Sequence, residues 1–121
     1  MLILPIKKKW FDMILSGEKK EEYREIKPYW NKRFSKVFGR STYSCKRNMF
    51  VVDNSYPDKV LGFMEPQYIL FRNGYGNDKP TIKCLVNIVV GHGRPVWGAE
   101  RNKEYYVLKI LSVKEVTNAK D

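Results

Sequence analysis

The sequence has few of the side chains that bind metal ions or act as strong nucleophiles. Among its 121 residues there are two cysteines, Cys45 and Cys84, and one histidine, His92. A closed zinc site needs four ligands, usually supplied as closely spaced Cys or His pairs, and the chain has no such pair. We therefore expect no metal and no cofactor. We predict that Cys84, which lies inside an apolar run, is a small buried hydrophobic residue.

Long hydrophobic runs are missing as well. No segment approaches the roughly 18 consecutive apolar residues that favour a transmembrane helix. The apolar stretch Met1–Ile6 is too short to be the core of a signal peptide followed by a cleavage site. We therefore expect a cytoplasmic protein without a membrane partner.

Acidic residues are scarce relative to basic ones. The chain has 13 Asp and Glu against 23 Lys and Arg, which gives a formal net charge of +10. Such a field favours polyanions, either nucleic acid or an anionic membrane surface. A membrane-surface role would need a long basic amphipathic helix, whereas the predicted helices are short and rich in aromatic residues. A charge that only keeps the protein soluble is the alternative.

Length and composition predict one globular domain over residues 1–121. Hydrophobic residues make up 43% of the chain and aromatic residues 14%, more than disordered segments contain. A chain of this length has room for one domain, and it can bury a core without disulfides or metals.

Two helices are predicted near the N-terminus, Lys8–Ser16 and Tyr29–Phe38. In the first, the apolar residues are spaced as in an amphipathic helix, and Gly17 provides the left-handed residue that commonly ends one. Pro28 suits the first position of the second helix, because its missing N–H is not needed there.

Alternating and continuous apolar patterns predict the strands. They lie at Leu2–Ile6, Glu21–Ile26, Gln67–Asn73, Thr81–Val90 and Glu104–Ser112, and Val113–Val116 either extends the last strand or pairs separately. Five or six short strands with two helices near the N-terminus predict an α+β fold. We expect a small, mostly antiparallel sheet that curves into a barrel and is flanked by the helices.

The remaining segments show weaker patterns. Residues 40–66 give no clear prediction, although Met49–Val52 could be a short strand. Gly91-His92-Gly93 is predicted to be a turn at the start of a loop over 91–103, since a P-loop would need Gly-Lys-Ser/Thr opening a helix. Residues 118–121 are predicted to form a frayed tail.

The most informative segment is Gly17-Glu18-Lys19-Lys20-Glu21-Glu22-Tyr23-Arg24, which follows the first predicted helix. It resembles the hallmark of the ASCH family, G-x-K-x-x-E-x-R, at each of the four fixed positions. The resemblance implies a PUA-like fold, which is a small β-barrel flanked by helices, with the motif pointing into a cleft. It also implies an RNA or nucleotide-like ligand. The later stretch from Phe71-Arg72-Asn73-Gly74-Tyr75 through Trp97-Gly98 and Tyr106-Val107-Leu108 resembles a subgroup of small bacterial and phage members.

The motif residues make chemical sense without the family. Glu22 and Arg24 are two apart on a strand, so their side chains share a face and form a polar pair that could read a base edge. Lys19 adds a point charge suited to a phosphate or a developing oxyanion, although strict alternation would turn it away, so a bend is needed. The alternative is an ordinary salt bridge between Glu22 and Arg24, with Lys19 in solvent.

Aromatic and basic residues also alternate in two loops. Arg72, Asn73 and Tyr75 lie in one, and Trp97 follows Arg94 in the other. Planar rings can stack on unpaired bases while nearby cations contact phosphates, so we predict that these loops contact RNA. Trp97 could equally plug the end of a barrel.

An enzymatic function is the alternative to binding. One ASCH branch hydrolyses acetylated cytidine, with a threonine three residues after the motif lysine. Here Glu22 stands at that position, so it could act only as a general base, with Lys19 stabilising an oxyanion and Glu100 as a weaker candidate. Ribonuclease activity is also implied by the wider family, and His92 alone provides no catalytic triad. We therefore predict binding of RNA or a nucleotide-like ligand.

Overall fold

A computed structural model describes residues 1–38, 41–44, 49–52 and 66–117, with the backbone alone for 41–44 and 49–52. It shows a small α+β protein with two helices and a mostly antiparallel sheet, which confirms the predicted fold class at that level. The elements are β1 (Ile3–Ile6), α1 (Lys8–Leu15), β2 (Glu21–Glu25), α2 (Pro28–Val37), β3 (Ser41–Ser44), β4 (Met49–Val52), β5 (Gln67–Asn73), β6 (Thr81–His92) and β7 (Glu104–Thr117).

The main sheet has five strands in the order β1-β5-β6-β7-β2. Strand β1 is parallel to β5, and the other neighbours are antiparallel. Strands β3 and β4 form a separate antiparallel hairpin. Within the described ranges, β1 and β2 are the two edges and do not pair with each other, so the sheet is open and no closed barrel is shown.

Both predicted helices are present, each ending one residue before its predicted end. Helix α1 ends at Leu15, and Gly17 follows with a φ of 86°, the left-handed conformation expected of a helix stop. Helix α2 begins at Pro28 itself, as its preset φ allows. The apolar residues Phe11, Ile14 and Phe34 are buried, so the helical stripes face the sheet.

The strand predictions hold with one correction. The turn predicted at Gly91-His92-Gly93 is wrong in its first two residues: β6 continues to His92, because Gly91 and His92 pair with the start of β7. Of the two alternatives for Val113–Val116, the structure confirms the extension of the last strand, because β7 runs without a break to Thr117. Two shifts in register between β6 and β7 accommodate this long pairing.

The segment without a clear pattern contains a hairpin. The possible strand Met49–Val52 is confirmed, and its partner Ser41–Ser44 was not predicted, because its sequence STYS lacks the alternation that marks a half-buried strand. The other predictions for residues 40–66, Cys45 and the tail 118–121 lie outside the described residues.

The core lies between the two helices and one face of the sheet. Central strand β6 contributes Ile82, Cys84, Val86 and Ile88, all fully buried, as its alternation predicts. The burial of Cys84 is thereby confirmed, and it raises the pKa of the thiol to about 12. A smaller cluster packs on the other face, formed by Tyr23, Ala99, Tyr105 and Val107.

Candidate ligand-binding cleft

A cleft of about 780 Å³ opens between β1, β2, the starts of both helices and the loop before β7. Ligand sites of small molecules commonly have volumes in this range. The described residues that line it are Pro5, Ile6, Lys7, Lys8, Trp10, Glu22, Tyr23, Arg24, Glu25, Tyr29, Trp30, Gly74, Tyr75, Trp97, Gly98, Glu100, Lys103 and Tyr105.

Strand β2 brings Glu22 and Arg24 into this lining side by side. Arg24 Nη1 donates to Glu22 Oε2 at 2.8 Å and to the carbonyl oxygen of Tyr23 at 2.8 Å. Only 7% of the Glu22 side chain and 15% of the Arg24 side chain are exposed. The pair is therefore largely removed from water, which distinguishes it from an ordinary surface salt bridge.

Lys19 lies beneath the cleft rather than in its lining. Its amide N–H donates to the carbonyl of Met13 at 2.9 Å, and this turn after Gly17 directs the side chain inward before β2 begins. Lys19 Nζ is 3.1 Å from Glu22 Oε1 and donates to the carbonyl oxygen of Trp97 at 2.5 Å. The side chain is fully buried, so Lys19, Glu22 and Arg24 form a buried ionic triad.

The surroundings of Lys19 oppose its positive charge in part. Burial lowers the pKa of Lys19, and the neighbouring carboxylate of Glu22 acts in the opposite direction. The ammonium group also lies 4.5 Å from the ring centre of Trp10 and 5.1 Å from that of Tyr23, which favours the cation. The triad thus keeps a buried lysine among groups that compensate its desolvation.

The loop before β7 is fixed to the rest of the site by hydrogen bonds to its backbone. The Tyr23 hydroxyl accepts from the N–H of Arg94 at 2.9 Å, and the Tyr105 hydroxyl accepts from the N–H of Glu100 at 3.0 Å. Burial raises the pKa of Tyr23, whose hydroxyl also donates to Glu21. These contacts hold Trp97 at the wall of the cleft.

Gly98 allows this loop to pass close to α1. Its φ is 103°, and a Cβ atom there would lie 3.0 Å from Cζ2 of Trp10. A larger residue would therefore be strained and would push against the indole. Glycine at this position lets the Trp10 ring lie both beside the loop and over Lys19.

The described lining of the cleft includes seven aromatic side chains: Trp10, Tyr23, Tyr29, Trp30, Tyr75, Trp97 and Tyr105. They include all three tryptophans of the chain. Of these seven, only Tyr75 and Trp97 were predicted to contact a ligand. Trp10 and Trp30 lie on helical stripes that predict core packing, and the sequence alone gives no sign that those stripes reach the mouth of a cleft.

Arg24 also connects the two edges of the sheet. Its Nη2 donates to the carbonyl oxygen of Pro5 in β1 at 3.1 Å. Its guanidinium lies 5.3 Å from the ring centre of Trp30 in α2. One side chain therefore spans from β2 to β1 and α2, and its planar guanidinium group provides donors in several directions.

The other predicted residues are divided between the cleft and its surroundings. Trp97, Glu100 and Tyr75 line it, and Tyr75 is 84% exposed at its rim. Arg72 and Asn73 are not among the described lining residues, and the Arg72 Nε atom is buried with no hydrogen-bond partner within the described part of the chain. Both residues belong to β5, which ends at Asn73, before the turn that carries Tyr75.

The cleft is less basic than the whole chain. Its described lining has four cationic side chains, Lys7, Lys8, Arg24 and Lys103, and three acidic ones, Glu22, Glu25 and Glu100. Two of the acidic residues are close to Lys103, whose Nζ lies 3.2 Å from Glu100 Oε2 and 3.6 Å from Glu25 Oε2. Most of the net charge of +10 therefore lies elsewhere.

Nucleophile and metal chemistry have few candidates here. The described lining contains no Ser, Thr, Cys or His side chain. The described ranges contain no group of three or more His, Cys, Asp or Glu residues arranged to hold a metal ion.

Neither described helix is long and apolar enough to cross a membrane.

Comparison with known proteins returns no match, whether with protein-family models, curated proteins or solved structures.

Proposed function

We propose that this protein is an ASCH-type, PUA-like domain that binds an unpaired RNA base or a nucleotide-like ligand in the cleft. The observation that carries the proposal is the position of the buried triad: Glu22 and Arg24 face a cleft lined by seven aromatic side chains, and Lys19 supports them from below. Rings that stack a base and a fixed polar pair that reads its edge are the two parts that recognition of an unpaired base requires.

Unused hydrogen-bonding capacity supports this assignment. Arg24 has five N–H donors, of which three bond to Glu22, Tyr23 and Pro5. This leaves the Nε hydrogen and one Nη2 hydrogen for a ligand. Each carboxylate oxygen of Glu22 accepts from one cation and keeps a second lone pair. A donor beside an acceptor, both held in place, suits a base edge that offers the complementary pair.

The arrangement of the sheet edges supports the PUA-like part of the proposal. A closed barrel would pair β1 with β2, and the open sheet instead has the Arg24 side chain bonded across to Pro5. At the mouth of the cleft, β1 and β2 are therefore connected by this side-chain hydrogen bond of Arg24 rather than by pairing of their backbones. This arrangement is compatible with a barrel-like fold whose seam is the ligand site.

Binding fits the geometry better than hydrolysis. Lys19 is fully buried and already donates to Glu22 and Trp97, so stabilising an oxyanion would require it to leave both partners. Glu22 would have to activate a water while each of its oxygens remains paired with a cation. Because no Ser, Thr or Cys side chain occurs in the described lining to act as a nucleophile, hydrolysis of acetylated cytidine or RNA remains the second candidate.

The two functions can be separated by one experiment on the intact protein. Acetylated cytidine and a labelled single-stranded RNA are incubated with it, and product formation and RNA retention are measured. We expect retention without product. Arg24→Ala should weaken retention, because it removes the donors that face the ligand, and Lys79→Ala, at an exposed site outside the described cleft lining, is the matched control.

Two results would contradict the proposal. Turnover of acetylated cytidine without retention of RNA would establish the hydrolase instead. Retention that is equal in the wild type and in Arg24→Ala, with both proteins folded, would place the RNA outside the cleft.

A further inference from the structure

A second concave surface lies between the C-terminal half of α2 and the start of β5. It has a volume of about 890 Å³, and Lys32, Arg33 and Lys36 of α2 face Gln67 and Tyr68 of β5 across it. We call this surface the α2 groove. No acidic side chain occurs among its described lining residues, in contrast to the mixed charges of the cleft.

The cations of the groove are not engaged with carboxylates. None of the ion pairs formed among the described residues includes Lys32, Arg33 or Lys36. Lys32 and Lys36 are exposed and one helical turn apart, so their charges project along the same side of the helix. Lys83 is outside the described lining of the groove, and its Nζ lies 5.0 Å from the ring centre of the partly exposed Tyr68. Three cations thus line a surface without a described counterion.

Arg33 connects the groove to the cleft. Its guanidinium lies 3.4 Å from the ring centre of Tyr29, and its Nη1 donates to the Tyr29 carbonyl oxygen at 3.2 Å. Tyr29 belongs to the cleft lining, whereas Arg33 belongs to the groove lining. At a rise of about 1.5 Å per residue, the helix from Tyr29 to Lys36 spans roughly 10 Å. The two surfaces are therefore adjoining parts of one face of α2.

We infer that the α2 groove binds the phosphate backbone of a single-stranded nucleic acid whose base enters the cleft. This inference rests on the proposed function and names its ligand class: a strand rather than a free nucleotide. Cations without carboxylate partners bind phosphates and release counterions, while the partly exposed ring of Tyr68 offers a face for a neighbouring base.

The structure favours nucleic acid over an anionic membrane as the occupant. A helix that binds a membrane surface presents an exposed apolar stripe beside its cations. In α2, Phe34 is fully buried, and Val37, which also lines the groove, is packed against the core. Leu2, another lining residue, is packed against the core as well, which leaves Met1 as the exposed aliphatic side chain of the lining beside three cations. The groove therefore offers more charge than apolar surface.

The test compares two triple variants with the same change in net charge. The groove variant combines Lys32→Gln, Arg33→Gln and Lys36→Gln, and the control variant combines Lys20→Gln, Lys109→Gln and Lys114→Gln at exposed sites outside the described lining of both surfaces. Affinities for a short single-stranded RNA and for nucleosides are measured between about 50 and 200 mM salt. Vesicles containing phosphatidylserine form a further arm.

For the groove variant we expect RNA affinity at low salt to fall about 10-fold or more. The slope of log K against log salt should become less negative by about 0.7 for each phosphate that the variant no longer neutralises. The control variant should keep most of the RNA affinity and most of the slope. Affinity for nucleosides, which have no phosphate, should respond to Arg24→Ala far more than to the groove variant.

Three results would overturn the inference. They are an unchanged slope in the groove variant, equal losses of affinity in the groove and control variants, and vesicle binding that replaces RNA binding and disappears in the groove variant. Failure of the cleft assignment would give a different result. Arg24→Ala would then leave the affinities for RNA and for nucleosides unchanged, while the slope of log K against log salt in the groove variant would still test the groove.

Discussion

The cleft and the α2 groove contain cations of opposite character. At the cleft, Arg24 in the lining and Lys19 beneath it are largely buried and paired with Glu22. In the groove, Lys32 and Lys36 are exposed and belong to none of the ion pairs formed among the described residues. Lysine and arginine are therefore buried and paired at one surface, and lysine is exposed and outside the described ion pairs at the adjoining one.

The difference follows from the cost of desolvation. A buried cation must be compensated by fixed partners, so it contributes to folding and to the geometry of the site. An exposed cation costs little to fold and stays available to a ligand, and its contribution to binding depends on salt. The cleft should therefore respond to substitution in stability and specificity, and the groove in affinity and salt dependence.

The largest effect is expected for Lys19→Met. This change leaves the buried Glu22 carboxylate with one cation in place of two and removes the donor to the Trp97 carbonyl. Loss of one partner from a buried ion pair costs about 3 to 5 kcal/mol of unfolding free energy. Urea denaturation measures it, with Lys8→Met as the control.

Lys8 provides a matched exposed pair. Its Nζ lies 2.6 Å from Asp12 Oδ2, and both side chains are more than half exposed. An exposed pair one helical turn apart contributes only about 0.3 to 0.5 kcal/mol. Equal losses of stability for Lys19→Met and Lys8→Met would show that burial of the triad has no energetic consequence.

Arg24→Ala should reduce ligand affinity by about 10- to 100-fold. Hydrogen bonds to charged groups contribute about 1.5 to 3 kcal/mol each, so the loss of one such bond between Arg24 and the ligand accounts for this range. Arg24→Lys is the sharper comparison, because it keeps the charge and loses the planar fork. An affinity restored fully by lysine would mean that the cleft recognises only charge.

Tyr75→Ala should weaken binding by about 1 to 3 kcal/mol if an unpaired base stacks on this ring. Since the side chain is 84% exposed, the folding free energy should hardly change. Tyr75→Phe keeps the ring and should bind like the wild type. Equal binding by all three proteins would remove Tyr75 from the site.

The pH dependence of stability separates Lys19 from the exposed lysines. Its pKa in the folded state is lowered by burial below the usual value of 10.5, so the unfolded chain binds more protons just below that pH. The contribution of Lys19 should therefore make the free energy of unfolding rise with pH, by at most about 1.4 kcal/mol per pH unit. The difference between wild type and Lys19→Met, followed by urea denaturation across this range, isolates that contribution. A difference that falls with pH would contradict it.

The smallest effect on stability is expected in the groove. Lys36→Gln should change the unfolding free energy by no more than about 0.5 kcal/mol, because Lys36 is exposed and belongs to none of the ion pairs formed among the described residues. A loss comparable to that of Lys19→Met, measured in the same denaturation experiment, would show that the groove is a structural feature rather than a binding surface.

Sequence patterns were sufficient for most of the fold and for part of the cleft. Periodicity predicts both helices and the strands of the main sheet, because one buried face repeats at a regular spacing. It also places Glu22 and Arg24 on one face of β2. It could not predict β3, whose residues do not alternate, or the extension of β6 to His92, which depends on pairing with β7.

The remaining features of the site depend on tertiary contacts. The inward turn of Lys19 is set by a backbone bond to Met13 and by the Trp97 carbonyl, which is 78 residues away in the chain. Trp10 and Trp30 resemble core residues in sequence because they lie on helical stripes, yet both reach the cleft. Arg72 shows the converse: it lies beside the turn of Tyr75 in sequence but outside the described lining.

Tryptophan fluorescence gives the most direct test of the claim that an unpaired base enters the cleft. Trp10, Trp30 and Trp97 are all the tryptophans of the chain, and all three line the cleft, so the signal reports on side chains of this site. Titration with a short single-stranded RNA should quench the fluorescence to saturation, and Arg24→Ala should shift the midpoint to at least about 10-fold higher concentration. Retention of RNA with no change in tryptophan fluorescence would contradict the claim.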